Sequence, residues 1–227
     1  MLRAVIFDFN GIIVDDEPIH FELFQRVLRE EGIDLTEADY YERYLGYDDR
    51  GAFSTAYREH NRALTRPKLG QLIERKAVYY RQDIKAKMKV FPGIQTLVPN
   101  LAKQLPLAIA SGALRNEIEI ILSSIGLFTH FCAIVSAEDV TRGKPEPEIF
   151  LTALERLNAA LDSNDPIRPA ECLVIEDSKE GIRGARRAGM KCLAVTNSHP
   201  ARLLDEADSI VDSLERITQK QLEAICS

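Results

Sequence analysis

The sequence predicts an α/β fold in which a doubly wound, mostly parallel sheet carries an inserted all-helical domain. The first observation is a set of short apolar runs that recur along the chain and indicate buried strands. The second is that helix-length stretches follow most of these runs, which is the spacing of a parallel sheet with helices on both faces. The third is a long region, from about residue 15 to residue 89, with helical patterns and no strand candidate.

The elements follow in chain order from these patterns. The apolar runs that predict strands are Leu2–Phe7, Leu107–Ala110, Ala133–Val135, Cys172–Ile175 and Cys192–Val195. The predicted helices include Asn116–Ile125, Glu148–Asn158 and Lys179–Ala188. Because the helical region directly follows the first strand, we expect a Rossmann-like core at residues 1–14 and 90–227 and a smaller helical domain at residues 15–89.

The composition is that of a globular protein and excludes several classes. The chain has 227 residues, of which 45% are hydrophobic, so it has enough apolar surface to offset the entropy of ordering. Its formal net charge of −6 disfavours binding to nucleic acid or to an anionic membrane. No apolar run approaches the roughly 18–20 residues of a membrane span, and Asp8 comes too early for a signal peptide. We therefore expect a cytoplasmic protein whose partners are neither nucleic acids nor membranes.

Polar residues follow the apolar runs where the predicted strands end. They are Asp8-Phe9-Asn10-Gly11, Ser111-Gly112, Gly143-Lys144-Pro145 and Glu176-Asp177-Ser178. Ligands of open parallel sheets bind beyond the carboxyl ends of the strands, so we expect these residues to converge on one edge of the sheet. Carboxylates there suit Mg²⁺, and Asp8 is a candidate for attack on phosphorus. Taken singly, each residue is also explained as a turn or helix-cap residue, but their joint order favours a site.

These four segments resemble the motifs of the haloacid dehalogenase superfamily of phosphohydrolases. Residues Val5 to Gly11 resemble its nucleophile motif, and Ile109 to Gly112 its second motif. Residues Gly143 to Pro147 are similar to the third motif, and Ile175 to Ile182 to the fourth. Within the superfamily the chain looks like the branch of beta-phosphoglucomutase and phosphoglycolate phosphatase. The resemblance covers nearly the whole chain and implies that the helical insert is a mobile cap that closes over the substrate.

The resemblance also implies a set of roles at the edge of the sheet. Asp8 would be the nucleophile that forms an aspartyl phosphate, with Ser111 and Lys144 as further catalytic residues that hold phosphate oxygens and neutralise charge. The metal ligands would be Asp8, the backbone carbonyl of Asn10, Glu176 and Asp177, and the metal would be Mg²⁺.

One position departs from the family pattern in a way that affects the chemistry. The family has a second aspartate two residues after the nucleophile, which serves as general acid and base, whereas this chain has Asn10. An amide neither protonates a leaving alkoxide nor takes a proton from the attacking water. Losing such a group costs about 10²–10⁴ in rate. Metal and phosphate binding are expected to survive, because the backbone carbonyl of Asn10 is retained.

Three interpretations of Asn10 stay open. The enzyme is slow or acts on leaving groups that need no protonation, the residue is a substitution that traps a complex, or the protein binds phosphorylated ligands without turnover. The main expectation is a slow, Mg²⁺-dependent phosphatase-like hydrolase of a small phosphorylated metabolite, working as a monomer. The alternatives are a catalytically impaired phosphometabolite-binding protein and a sugar phosphomutase that carries an inactivating substitution. Dehalogenation is disfavoured, because true haloacid dehalogenases need neither Mg²⁺ nor the acidic pair.

Substrate recognition is assigned through the resemblance alone. The substrate-binding candidates are Gly112, His20, Arg50, Lys76, Arg115 and Asn116. Arg50 lies in the segment 45–50, which resembles the family's cap specificity loop, and each charged candidate is also compatible with a solvated surface. A second departure is Asp16, where the family has serine or threonine. Its carboxylate either substitutes for the missing acid, pairs with a base of the cap, or faces away from the site.

Overall fold

The structure is a computed structural model that describes residues 1–44, 47 and 49–226, without the side chains of residues 84–87. The strands are β1 Ala4–Phe7, β2 Val14–Asp15, β3 Lys89–Val90, β4 Leu107–Ala110, β5 Ala133–Val135, β6 Cys172–Glu176, β7 Lys191–Val195 and β8 Ser209–Val211. The α-helices are α1 Glu17–Glu30, α2 Glu37–Arg43, α3 Asp49–Glu59, α4 Arg66–Lys87, α5 Ile94–Ala102, α6 Arg115–Ser124, α7 Glu148–Leu161, α8 Lys179–Arg187 and α9 Gln219–Ile225. Within the described ranges, none of these helices combines the length and the apolar character that a membrane crossing requires.

The first strand lies inside a six-stranded parallel sheet, which confirms the predicted α/β class. The strand order is β5-β4-β1-β6-β7-β8, and every neighbouring pair runs parallel. Phe7, the last residue of β1, is in register with Ile109 of β4 on one side and with Ile175 of β6 on the other. The order of the strands reverses at β1, and ligands of such sheets bind at the carboxyl ends of the strands on either side of this point.

Burial on both faces of the sheet explains why the strands are apolar throughout. Successive residues of β1 point to opposite faces, and all four are fully buried. Ala4 and Ile6 belong to one hydrophobic cluster with residues of α7 and α8, among them Phe150 and Ile182. Because the alternate residues of β1 are equally buried, the strand has no polar side, as expected for a parallel sheet covered by helices.

The chain forms two compact units. The first comprises Met1–Asp15 and Lys89–Ser227 and contains the six-stranded sheet, and the second comprises Asp16–Met88 and contains α1 to α4. The second unit has its own core, formed by the buried faces of its helices. Its fully or nearly fully buried members include Phe24, Val27, Leu28, Ile33, Tyr40, Ala52, Phe53, Ala56 and Leu72.

Two features of the sheet region differ from the sequence expectation. Val14–Asp15 and Lys89–Val90 pair as a two-stranded antiparallel ribbon at the ends of the segment predicted to lack strands. Strands of two residues are too short to show any periodicity, so the sequence pattern gives no signal for them. Ser209–Val211 was likewise not predicted, because this edge strand is partly exposed and has no continuous apolar run.

The core packing around α7 yields a test with a matched control on the same helix. Leu157 is fully buried, whereas the Leu151 residue is 41% exposed. We expect Leu157→Ala to lower the free energy of unfolding by about 2–5 kcal/mol through lost apolar contact and a residual cavity. Leu151→Ala should cost under about 1 kcal/mol, because much of its side chain already contacts water. Urea denaturation of both variants measures the difference, and equal losses would contradict the packing of α7 against the sheet.

Candidate active site

Polar residues from three neighbouring strands meet at the carboxyl edge of the sheet. Asp8 follows β1, Ser111 follows β4, and Glu176 ends β6 immediately before Asp177. The backbone N–H of Asp8 donates to the carbonyl of Ile175 at 2.9 Å, so the parallel pairing of β1 with β6 continues to the nucleophile candidate itself. The sheet therefore fixes the main chain from which these side chains project.

Asp8, Glu176 and Asp177 form a buried acidic cluster. One carboxylate oxygen of each residue lies within 4.8 Å of the other two. Burial, reinforced by the negative charge of Glu176, raises the pKa of Asp8 well above its usual range. The same two causes raise the pKa of Asp177 to about 7. Burial and the neighbouring Glu176 charge therefore both disfavour the ionised forms of Asp8 and Asp177.

Lys144 supplies a positive charge inside this cluster. Its Nζ lies 2.8 Å from Asp8 Oδ1 and 2.5 Å from Glu176 Oε1. Burial alone would lower the pKa of Lys144, but the adjacent charges of Asp8 and Glu176 outweigh burial and raise it. The ammonium group therefore remains protonated at neutral pH and holds two carboxylates in place.

Glu176 is the most fully engaged carboxylate of the three. Its Oε2 accepts hydrogen bonds from the backbone N–H groups of Asp177 and Ser178, both at 2.9 Å, and from the Ser178 hydroxyl at 2.8 Å. Burial would raise the pKa of Glu176, but Lys144 and the hydrogen bonds from Ser178 lower it. Glu176 thus stays ionised and ties Lys144 to the loop that leads into α8.

Two glycines make room for the carboxylates. Gly11 has φ of 79°, and a Cβ there would lie 1.9 Å from Asp177 Oδ2. A Cβ on Gly181, in the first turn of α8, would lie 1.8 Å from Glu176 Oε1. Both positions therefore require glycine for close approach, and Gly11 requires it for backbone conformation as well.

The structure brings the side chains of Asn10 and Ser111 together. The Ser111 hydroxyl donates to Asn10 Oδ1 at 3.4 Å and accepts from the backbone N–H of Ala113 at 3.1 Å. Asn10 is part of a tight turn. The turn is closed by a hydrogen bond of 2.9 Å from the N–H of Gly11 to the carbonyl of Val14. Asn10 therefore sits in a defined turn beside Ser111.

The donor set of this edge fits a Mg²⁺ ion. Mg²⁺ prefers hard oxygen ligands and is usually held by one or two carboxylates with water and phosphate. The clustered carboxylate oxygens of Asp8 and Asp177 match that preference. Glu176 and the backbone carbonyl of Asn10 are further oxygen donors from the same segments.

The substrate-binding candidates of the first unit are not brought together. Gly112 is exposed, and a Cβ there would meet nothing within 4 Å. The guanidinium of Arg115 donates to Asp139 at 2.6 Å and to the carbonyl of Ile134 at 3.1 Å, so the hydrogen bonds found for it lead to β5 and the segment that follows. Asn116 is exposed in the first turn of α6.

Two candidates of the second unit belong to a buried charged network. Lys76 is 2% exposed, and its Nζ donates to Asp49 Oδ1 at 2.5 Å and to His20 Nδ1 at 2.8 Å. An ammonium group has only donors, so His20 Nδ1 must accept, and the proton on Nε2 is then directed at Asp16 Oδ2, 3.2 Å away. The Lys76 ammonium also lies 4.2 Å from the centroid of the Phe24 ring.

Asp16 pairs with a base of its own unit, which was one of the alternatives for this departure. Asp16 is 1% exposed and accepts a hydrogen bond from the Tyr80 hydroxyl at 2.9 Å in addition to its contact with His20. The Tyr80 ring stacks on the His20 ring with centroids 5.1 Å apart. Arg50 is exposed at the start of α3. Three residues of its loop, at positions 45, 46 and 48, lie outside the described residues.

Sequence reasoning missed residues that bind directly to the predicted site. Ser198 donates a short hydrogen bond to Asp177 Oδ2, and Asn197 donates to the carbonyl of Gly11 at 2.6 Å. Both lie just beyond the apolar run of β7, where the same rule that selected Asp8 and Ser111 would have found them. Asp49 and Tyr80 were missed for a different reason, since nothing in their local sequence indicates which helices pack together.

The glycine at position 181 gives a test in which two identical substitutions have opposite effects. In a helix, alanine normally stabilises the folded state by up to about 1 kcal/mol more than glycine does. We expect Gly70→Ala in α4 to follow this rule, because a Cβ there meets nothing within 4 Å. Gly181→Ala should instead destabilise by about 1–3 kcal/mol, because its Cβ would collide with the buried Glu176 carboxylate. Thermal and urea unfolding measure both; stabilisation by Gly181→Ala would contradict the close approach.

The Asp139 ion pairs predict a pH dependence of stability. Hydrogen bonds from Arg156, together with those from Ser136 and the charge of Arg115, hold the pKa of Asp139 well below its usual range despite partial burial. A carboxyl whose pKa is lower in the folded state stabilises the fold above its unfolded pKa of about 4 and loses that effect as the pH falls further. Asp139→Asn should therefore cost about 1–2 kcal/mol at pH 7 and progressively less below pH ~4. Denaturation of both proteins from pH 7 to below pH ~4 measures the difference, and a gap that does not shrink below pH ~4 would contradict it.

Comparison with known protein families finds a match to the model of the haloacid dehalogenase-like hydrolases. The match covers residues 5–195. The protein YhcW of Bacillus subtilis (strain 168) is 34% identical over 91% of this chain and 89% of its own length. The phosphorylated carbohydrates phosphatase of Thermotoga maritima is 32% identical over 84% of this chain and 83% of its own length.

A solved structure supports the same fold. The crystal structure of beta-phosphoglucomutase from Clostridium difficile matches with a TM-score of 0.83 and covers 100% of this chain and 97% of that chain, at 23% identity. At this level of identity the similarity concerns the fold. Because the family match spans Asp8, Ser111, Lys144 and the pair Glu176-Asp177, the chain belongs to the haloacid dehalogenase-like hydrolases.

Proposed function

We propose that this protein is a Mg²⁺-dependent phosphoric monoester hydrolase of a small phosphorylated metabolite, slowed by the asparagine at position 10. The observation that carries the proposal is the Asp8 carboxylate, held 2.8 Å from the Lys144 ammonium and clustered with Asp177 at the carboxyl edge of the sheet. Phosphatase relatives such as the phosphorylated carbohydrates phosphatase support the reaction class. In this proposal residues 1–14 and 90–227 form the catalytic core, residues 15–89 form the cap, and the protein acts as a monomer.

The first chemical step uses Asp8 as nucleophile. One carboxylate oxygen of Asp8 attacks phosphorus, and the bond from phosphorus to the ester oxygen breaks as the aspartyl phosphate forms. Lys144 stabilises the negative charge gathered between Asp8 and the phosphoryl oxygens. The Ser111 hydroxyl and the Gly112 N–H are the proposed donors to those oxygens. When bound by Asp8, Asp177, the Asn10 carbonyl and Glu176, Mg²⁺ would supply charge neutralisation between the two anions.

The residue at position 10 limits both halves of the reaction. The departing alkoxide needs a proton, and the water that hydrolyses the aspartyl phosphate must lose one. The amide of Asn10 performs neither transfer, because it is neither acidic nor basic near neutral pH. Substrates with acidic leaving groups do not need this proton, so the proposed enzyme favours them over sugar phosphates, whose leaving groups are alkoxides. Every substrate still requires that the water attacking the aspartyl phosphate lose a proton.

A binding protein without turnover is the second candidate function. It is favoured by the same observation that limits the enzyme, since Ser111, Lys144 and the acidic cluster keep the geometry of a phosphate and metal site while Asn10 occupies the turn beside them. A sugar phosphomutase with an inactivating substitution is the third. A mutase must move protons on and off sugar hydroxyls twice in each cycle, so Asn10 penalises it more than a phosphatase.

Restoring a carboxylic acid at position 10 tests these alternatives. We expect Asn10→Asp to raise phosphate release by about 10²–10⁴ because it restores the general acid and base. Asp8→Ala should abolish release in both backgrounds, and chelation should abolish it until excess Mg²⁺ is added. The measurement is phosphate release from a panel of sugar phosphates and aryl phosphates. Asn164→Asp, an exposed asparagine on a loop, is the matched control and should leave the rate unchanged.

The outcomes separate the candidates. Activity that survives Asp8→Ala would overturn the proposed chemistry. Activity found only in Asn10→Asp would favour the binding protein or the inactivated mutase, and interconversion of sugar phosphates by that variant would identify the mutase. Peptide mass analysis must accompany the assay, because an Asn-Gly pair such as Asn10-Gly11 is prone to deamidation, which would itself create an acid at position 10.

A further inference from the structure

The loop that follows β7 contacts the candidate metal site through hydrogen bonds to Gly11 and Asp177. Asn197 and Ser198 lie two and three residues after the end of β7. In the sheet order β7 is adjacent to β6, so its carboxyl end emerges beside Glu176 and Asp177. The position of this loop is therefore set by parallel pairing and not by its own sequence.

Asn197 and Ser198 each form a hydrogen bond with one partner of a close contact. Asp177 packs against Gly11 so tightly that a Cβ on Gly11 would lie 1.9 Å from Asp177 Oδ2. The Ser198 hydroxyl donates to that same oxygen, and the Asn197 side-chain amide donates to the Gly11 carbonyl at 2.6 Å. One loop thus fixes the carboxylate and the turn on which the carboxylate rests.

We propose that Asn197 and Ser198 are positioning residues that orient the Asp177 carboxylate relative to the Gly11 turn and so raise the affinity of the site for a divalent cation. The proposal rests on the proposed function, because it takes Asp177 as a metal ligand. A hydroxyl bonded to Oδ2 restricts rotation of the Asp177 carboxylate. Partners that orient a ligating carboxylate typically contribute about 10–100-fold to metal affinity.

The Gly11 turn gives Asn197 a separate role. The turn carries Asn10, whose carbonyl is a proposed ligand, and it follows Asp8 by three residues. A hydrogen bond to the Gly11 carbonyl fixes the peptide plane between Gly11 and Ile12. This plane directly follows the positive φ of 79° at Gly11. Loss of this bond lets the turn move relative to Asp177, and the distance between the proposed ligands is then less well defined.

Direct binding of Mn²⁺, measured by the electron paramagnetic resonance signal of the free ion, tests the proposal without any need for turnover. We expect Ser198→Ala and Asn197→Ala each to weaken Mn²⁺ binding by about 10-fold or more. Ser198→Thr should bind within about threefold of the parent, because it keeps the hydroxyl and position 198 is exposed enough for a methyl group. Ser163→Ala, a serine hydroxyl that bonds within its own surface loop, is the matched control and should have no effect.

A second readout distinguishes positioning from general loss of structure. In the Asn10→Asp background, Ser198→Ala should raise the Mg²⁺ concentration needed for half-maximal rate while the rate at saturating Mg²⁺ stays within about threefold of its parent. Circular dichroism and urea unfolding check that the variants are folded. Unchanged Mn²⁺ affinity in Ser198→Ala, or Ser198→Thr as weak as Ser198→Ala, would overturn the positioning role.

A failure of the metal site itself would look different. Asp177→Asn should reduce Mn²⁺ binding far more than either loop variant. If Asp177→Asn binds Mn²⁺ as tightly as the parent, the proposed metal site is wrong and the proposed function fails with it. If Asp177→Asn loses binding while Ser198→Ala retains it, the metal site stands and only the role of the loop is refuted.

Discussion

The electrostatic balance at the carboxyl edge of the sheet is the constraint on which the rest of the site depends. Three buried carboxylates face one ammonium group, Lys144, which leaves an excess of two negative charges when all are ionised. Burial and the charge of Glu176 raise the pKa values of Asp8 and Asp177, whereas Glu176 remains ionised beside Lys144. A divalent cation is the group whose charge matches this excess. This charge balance supports the metal site proposed above.

The backbone is arranged to tolerate this concentration of charge. Gly11 and Gly181 lack the Cβ atoms that would collide with Asp177 and Glu176, and the loop that leads into α8 donates backbone N–H groups to Glu176. Glu176 acts in this way as the fixed element between Lys144 and α8. Asp8 and Asp177 are then the carboxylates best suited to respond to a ligand.

The helical unit contains a second charge network with a different character. Lys76 is neutralised inside its own unit by Asp49 and contacts His20, and Asp16 is held by His20 and Tyr80. The burial of Asp16 in this network supports the interpretation in which its carboxylate pairs with a base of its own helical unit. A role for Asp16 as the acid that Asn10 lacks would require breaking its contacts with His20 and Tyr80.

Some predictions from the sequence followed from local signals, and others were beyond its reach. The strands β1, β4, β5, β6 and β7 were visible because parallel strands buried on both faces are apolar throughout. The edge strand Ser209–Val211 was not, since a half-exposed strand of three residues leaves no such pattern. Asn197 and Ser198 follow a recognised strand, but they lie outside the four segments that resemble the family motifs and were not selected. Arg115 was selected because it follows the second motif, and only the structure shows its pairing with Asp139.

The sequence by itself determined the class of fold, the order of the polar segments along it and the exchange of an acid for an amide at position 10. These are properties of periodicity and residue type, which are local and can be counted along the chain. The tertiary structure decided which carboxylate oxygens lie close together, which arginines and lysines are already paired, and which loop contacts Asp177. These properties depend on distances of a few ångströms between residues as far apart as Gly11 and Asn197, and no local pattern encodes such distances.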